Sequence, residues 1–115
     1  MTNESILQEA QRFVHGDRGA DYGHPAEDFG CVQAMFQAYY RHKYHMHIPL
    51  EPVDHAMYMI FVKITREANK AKRDNLVDAA GYLETAHMYR EYAEKELPDT
   101  KPTLSTWEIL DEQVP

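Results

Sequence analysis

Cysteine is almost absent from this 115-residue chain. Cys31 stands alone, which excludes an intramolecular disulfide and a cysteine-rich zinc site. No apolar run approaches the roughly 18 residues that a membrane span requires, so no membrane partner is expected. The opening Met1-Thr2-Asn3-Glu4-Ser5 lacks the basic and apolar segments of a secretory signal, and the expected location is the cytoplasm. No internal repeat, low-complexity tract or convincing strand is present. Positive charge is in deficit: twelve Lys and Arg against nineteen Asp and Glu leave a formal charge of −7. That balance argues against duplex nucleic acid as a partner, because such binding is driven by neutralising phosphates.

What basic charge exists is concentrated. Lys63, Arg66, Lys70, Lys72 and Arg73 place five of the twelve basic residues within eleven positions. An acidic chain with one basic cluster suits a small phosphate-bearing ligand better than a polymer; the alternative is a solvated helix end.

Hydrophobic spacing predicts an all-α fold, an antiparallel four-helix bundle. The first helix is expected over 3–15, with Ile6, Ala10, Phe13 and Val14 on one face and Gly16 as its stop. The second begins at Pro25, which suits a first helical position, and carries a core stripe of Phe29, Val32, Phe36 and Tyr40. Beside it runs a stripe of small residues, Gly30, Ala34 and Ala38, that would admit another helix. The third starts near Pro52 and is apolar almost all round, so it is expected to be buried on several sides. The fourth spans about 74–97, with Leu76, Ala79, Ala80, Leu83 and Ala86 as its core face. Asp74, Asp78, Tyr82 and Tyr89 then fall on the other side, where two tyrosines suit a cleft or a subunit contact. Residues 1–97 form the expected helical domain. Residues 98–115 are an acidic tail, expected to dock through Trp107. The small stripe and the tyrosine face together predict a homo-oligomer.

Three groups of side chains suit chemistry. The loop from Gly16 to His24 holds Arg18, Tyr22 and His24 and leads into a helix N-terminus, where exposed N–H groups favour anions. Arg18 is suited to clamp a phosphate and Tyr22 to stack on a base. The order of a Walker loop is missing. Lys63 sits among Ile60, Phe61, Val62 and Ile64, so its ammonium needs a partner, either Asp78 or a ligand phosphate; Arg66, three residues on, can address the same anion. Glu27, Asp28, Asp74 and Asp78 offer hard oxygen ligands suited to Mg²⁺. His42, His45 and His47 read as solvated loop histidines.

The run Gly16-Asp17-Arg18 with Asp21-Tyr22-Gly23-His24-Pro25, then Lys63 and Arg66, then Asp74-Asn75, Asp78, Gly81 and Tyr82, resembles a family of small phage-encoded proteins of undefined function, over about residues 5–90. More distantly the chain is similar to the nucleotide-modification-associated domain and to MazG-like all-α nucleoside triphosphate pyrophosphohydrolases. That resemblance implies a nucleotide ligand and a phage setting, and MazG-like proteins are helical bundles that pair or tetramerise and place Mg²⁺ between helices. MazG-like enzymes carry an E-x-x-E pair facing an E-x-x-D pair. Here Glu27 and Asp28 are adjacent, and Asp74 and Asp78 are four apart. The leading expectation is therefore a homo-oligomeric phage protein that binds a nucleotide or nucleotide-derived signal through Arg18, Tyr22, His24, Lys63, Arg66, Asp78 and Tyr82, with sequestration of a host immune messenger as one use. The alternatives are a Mg²⁺-dependent pyrophosphohydrolase and a protein that blocks a host target through its tail.

Overall fold

The computed structural model describes residues 3–17 and 24–96. Four α-helices follow one another: α1 (Ile6–Arg12), α2 (Pro25–Tyr44), α3 (Asp54–Asn69) and α4 (Arg73–Glu96). A π-helical turn, Phe13–Asp17, continues α1, and the described residues contain no strand. Residues 98–115, including Trp107, and the loop residues Arg18 and Tyr22 lie outside the described residues.

Local chemistry sets the helix boundaries. Ser5 caps α1: its hydroxyl accepts the Gln8 N–H at 3.1 Å, while the Gln8 side chain accepts the Ser5 N–H at 2.8 Å. This reciprocal box satisfies two donors that a helix start leaves unpaired, and it moves the first helical residue from the expected Asn3 to Ile6. Gly16 does not stop the helix but lies within the π turn. Pro25 occupies the first turn of α2, and His24 is its N-cap, with Nδ1 accepting the Ala26 N–H at 3.0 Å. The far end of α2 closes on His45, whose φ of 55° puts a non-glycine residue in the left-handed region.

From there the chain is held by α2 itself. The side-chain amides of Gln33 and Gln37 donate to the carbonyls of Leu50 and Ile48. The Asp54 carboxylate accepts the Glu51 N–H at 2.9 Å and fixes the entry to α3. A three-residue turn joins α3 to α4. Inside it, Glu67 accepts both the Lys72 N–H at 2.9 Å and the Asn75 side-chain amide at 3.2 Å, and the same amide reaches the Lys70 carbonyl. Asn75 is buried, so these bonds satisfy a polar group that would otherwise be costly.

The α3–α4 hairpin is the main packing unit; α1 packs on α4, and α2 contacts both hairpin helices. Ala10, Val14, Phe29, Ala56, Ile60 and Val77 are the buried apolar residues. Burying each larger one contributes about 1.5–3 kcal/mol, so this core is small. Two expectations change as a result. The third helix is not enclosed: Phe61 is 64% exposed and Ile64 58%. The fourth helix is turned the other way. Val77 and Thr85 are buried, and Asp78 and Tyr82 line a cleft against α1, while Leu76 and Leu83 are 47% and 57% exposed; Ala79, Ala80 and Ala86 of the expected core face are half-buried. The physical reason is that α1 docks on the flank of Val77 and Gly81, and Lys63 draws Asp78 toward α3. A Cβ at Gly81 would stand 3.4 Å from Val14 Cγ2, so the absent side chain gives α1 its close approach. The small stripe of α2 is not used within the chain: Ala34 and Ala38 are exposed, and a Cβ on Gly30 would meet nothing within 4 Å.

Candidate functional site

Lys63 is the most enclosed cation of the candidate set. Its side chain is only 14% exposed, and its Nζ lies 2.8 Å from an Asp78 carboxylate oxygen. The helix α3 brings it there because Ala56, Ile60, Lys63 and Glu67 recur at helical spacing and all face α4. The carboxylate is less enclosed, at 41%. One side of the pair therefore meets solvent, where an incoming ligand could reach it. Arg66 lies one turn beyond Lys63 and is exposed, with no ion-pair partner among the described residues.

Asp78 and Tyr82 line a cleft of about 130 Å³ between α4 and the α1–π segment, with Ala10, Phe13, Val14 and Gly81 among its walls. The Tyr82 ring also meets His55 edge-on, with centroids 6.2 Å apart. In the sequence, Arg18 follows directly on the π turn that carries Phe13 and Val14. The Asp78 carboxylate of the ion pair, Tyr82 and an apolar wall thus meet at this cleft. Such a cleft is smaller than the roughly 300–1,000 Å³ of a typical ligand pocket, so it fits one ring of a ligand whose remainder lies outside.

Other predicted residues are placed elsewhere. His24 is engaged as the cap of α2 and borders a separate cleft of about 360 Å³ with His15, Glu91 and Tyr92; its ring lies 5.3 Å from that of Tyr92. Glu27 and Asp28 occupy the first turn of α2, whereas Asp74 stands exposed at the start of α4. Among the described residues, no three His, Cys, Asp or Glu side chains gather as they would around a metal ion. The carboxylates proposed for Mg²⁺ thus form no donor group here.

Several working residues carry no signal in the spacing. Arg73 is not part of a solvated turn: its guanidinium reaches Glu9 at 2.8 Å and the Glu4 carbonyl at 2.8 Å, fastening the start of α4 to α1. Arg12 pairs with Glu4 at 3.0 Å and lies over the Phe13 ring. The hydrogen bond from Arg12 holds the Glu4 carboxyl below its ordinary value. Behind the site, burial raises the Tyr89 hydroxyl above its ordinary value, with the negative charge of Glu51 adding to the effect. Tyr89 packs against Phe29, centroids 6.0 Å apart. The links Glu4–Arg12 and Glu9–Arg73 span eight and sixty-four residues, separations that helical periodicity does not report.

Residues 5–90 match the family described as "Domain of unknown function (DUF6378)". The chain belongs to this family. The chain is also similar to proteins of mycobacteriophages. The Gene 55 protein of Mycobacterium phage D29 is 40% identical over 81 residues, covering 70% of this chain and 50% of its own length. The Gene 55 protein of Mycobacterium phage L5 is 35% identical over 79 residues, covering 68% and 47%. The chain spans about half the length of the curated relatives it matches. No solved structure matches it. The matched span takes in Lys63, Asp78, Tyr82 and Gly81, together with the loop of Arg18 and Tyr22, and ends before the acidic tail. Among the described residues, no helix is long and apolar enough to cross a membrane.

Proposed function

We propose that this DUF6378 protein binds a small phosphate-bearing ligand, a nucleotide or a nucleotide-derived signal, at the cleft of Asp78 and Tyr82, and that it does so in the cytoplasm of a phage-infected cell. The observation that carries this reading is the Lys63–Asp78 pair, whose part-exposed carboxylate lines a cleft beside Tyr82, with the exposed Arg66 one turn from Lys63. A structural ion pair alone would account for Lys63 but not for the opening of the Asp78 carboxylate onto a cleft lined by Tyr82. In the proposed complex, the base enters the cleft against Tyr82, and Asp78 holds the Lys63 ammonium toward it. Arg66 contacts phosphate, and Arg18 is a second candidate for that role by its residue type; a guanidinium suits this because it can donate two parallel hydrogen bonds to one phosphate.

Retention of the ligand fits the site better than its hydrolysis. Metal-assisted attack on a phosphate requires carboxylates that gather around the ion, and the described carboxylates do not. The nucleotide class rests on the basic and aromatic residues and on the distant resemblance in sequence to MazG-like proteins, and sequestering a host messenger is the use that a binder without turnover would serve. The test is to incubate the pure protein with a panel of mono-, di-, tri- and cyclic nucleotides, with and without Mg²⁺, and to identify what remains bound and what is released. Intact retained nucleotide is expected. Mg²⁺-dependent turnover would establish the pyrophosphohydrolase reading instead, and neither retention nor turnover would favour an interaction protein.

A further inference from the structure

One side of the α3–α4 hairpin carries large apolar side chains that no other described helix covers. The two helices run in opposite directions, and Lys63–Asp78 and Glu67–Asn75 fix their register. On that register, Phe61 and Ile64 of α3 and Leu76 and Leu83 of α4 lie on the same side, opposite the side where α1 meets Val77 and Gly81. All four are about half exposed or more, between 47% and 64%. Residues of this size expose about 100 Å² each at such fractions, so the four present roughly 400 Å². A standard interface takes about 800 Å² from each partner.

We infer that this face is the contact between two copies of the chain, related by a two-fold axis beside Leu83. The charges select this occupant. Lys72, at the turn end, and Glu94, near the far end of α4, lie on the same helical flank as Leu76 and Leu83. Both are exposed, and Leu83 stands midway between them in sequence, eleven residues from each. An antiparallel two-fold packing through Leu83 therefore brings each Lys72 to the partner's Glu94, about 16 Å from the axis on either side. One copy supplies the complement of the other, as an isologous contact requires. This assembly does not depend on the ligand reading. It replaces the small stripe and the tyrosine face as the surface for oligomerisation.

The inference is tested on the full chain by light scattering and sedimentation at micromolar concentration, where a dimer is expected. Leu83→Glu should weaken it at least about thirtyfold while the far-UV circular dichroism stays unchanged. Lys72→Glu and Glu94→Lys should each weaken it several-fold, and the double variant Lys72→Glu/Glu94→Lys should restore it. In a Cys31→Ser background, Leu83→Cys should form an intermolecular disulfide on mild oxidation, because only groups close to a two-fold axis meet the distance a disulfide demands. Ala34→Cys, on α2, should not. A monomer at about 100 µM, a dimer indifferent to Leu83→Glu, or equal cross-linking at both cysteines would each overturn the inference. Protection of Leu83→Cys from oxidation would also overturn it, since the face would then be covered by the chain's own tail or by another partner.

Discussion

Replacing Asp78 by Asn removes the negative charge from the Lys63 ammonium and keeps the side-chain volume. Breaking a fully buried ion pair costs about 3–5 kcal/mol, whereas an exposed pair is worth about 0.2–1 kcal/mol. Lys63 is 14% exposed and Asp78 41%, at a separation of 2.8 Å. The pair therefore falls between these limits, and after discounting for the open carboxylate the expected loss is about 1–2.5 kcal/mol. For a domain of this size, 1 kcal/mol moves the melting temperature by roughly 4 °C, so Asp78→Asn should melt about 4–10 °C lower. Most of the loss should come from leaving Lys63 without its carboxylate. Lys63→Met in the Asp78→Asn background should then recover more than half of it, because the methionine needs no partner among Ile60, Phe61, Val62 and Ile64. Thermal and urea denaturation of the four proteins of this cycle give the coupling directly. A loss below about 0.5 kcal/mol, or no recovery in the double variant, would refute the claim that the pair anchors α3 to α4.

Three further outcomes follow from the geometry. Tyr89 favours its neutral form in the folded chain, so its contribution to stability is complete below its ordinary value of 10.0 and falls as pH rises through that value toward the higher folded one; Tyr89→Phe should flatten the alkaline limb of stability against pH, and an unchanged limb would contradict the assignment. His45 holds φ 55° without being glycine, so His45→Gly should be neutral or stabilise by up to about 1 kcal/mol in urea denaturation, and a marked loss would show that its side chain is needed. Arg73→Ala should cost about 1 kcal/mol, since the Arg73 side chain is half exposed while Glu9 is mostly covered, and should speed amide exchange in α1 well ahead of exchange in α3.

How much of this was legible beforehand depends on which physics sets each feature. Pro25 announced the start of α2 because a missing N–H is harmless there. Lys63 announced a need for a partner because its neighbours are apolar, and Asp78 was among the partners that the spacing allowed. The rotation of α4 was not legible. Leu76, Ala79 and Leu83 form as regular a stripe as Asp78, Tyr82 and Tyr89, and periodicity defines faces without saying which one a neighbour will cover. The docking of α1 at Val77 and the pull of Lys63 on Asp78 decided it, and both are contacts between distant segments. Burying α3 on all sides would have required more neighbours than a chain with so few helices supplies. The same distance in sequence concealed the Arg73–Glu9 link. The capping box of Ser5 and Gln8 is a local signal that the sequence does carry. Of the candidate residues, Lys63 pairs with Asp78, Asp78 and Tyr82 line one cleft, and His24 borders another.

Calorimetric titration with the nucleotide that the protein retains best, on the wild type, Arg66→Ala and Lys70→Ala, tests the binding site most directly. Both arginine and lysine are exposed, but only Arg66 lies one turn from the Lys63–Asp78 pair. Removing one charge-assisted phosphate contact should weaken binding about ten- to a hundredfold. Arg66→Ala is expected to show that loss with an unchanged melting temperature, and Lys70→Ala to change affinity less than about twofold. Equal losses from the two would mean that diffuse positive charge alone attracts the ligand, and the site at Asp78 and Tyr82 would be wrong.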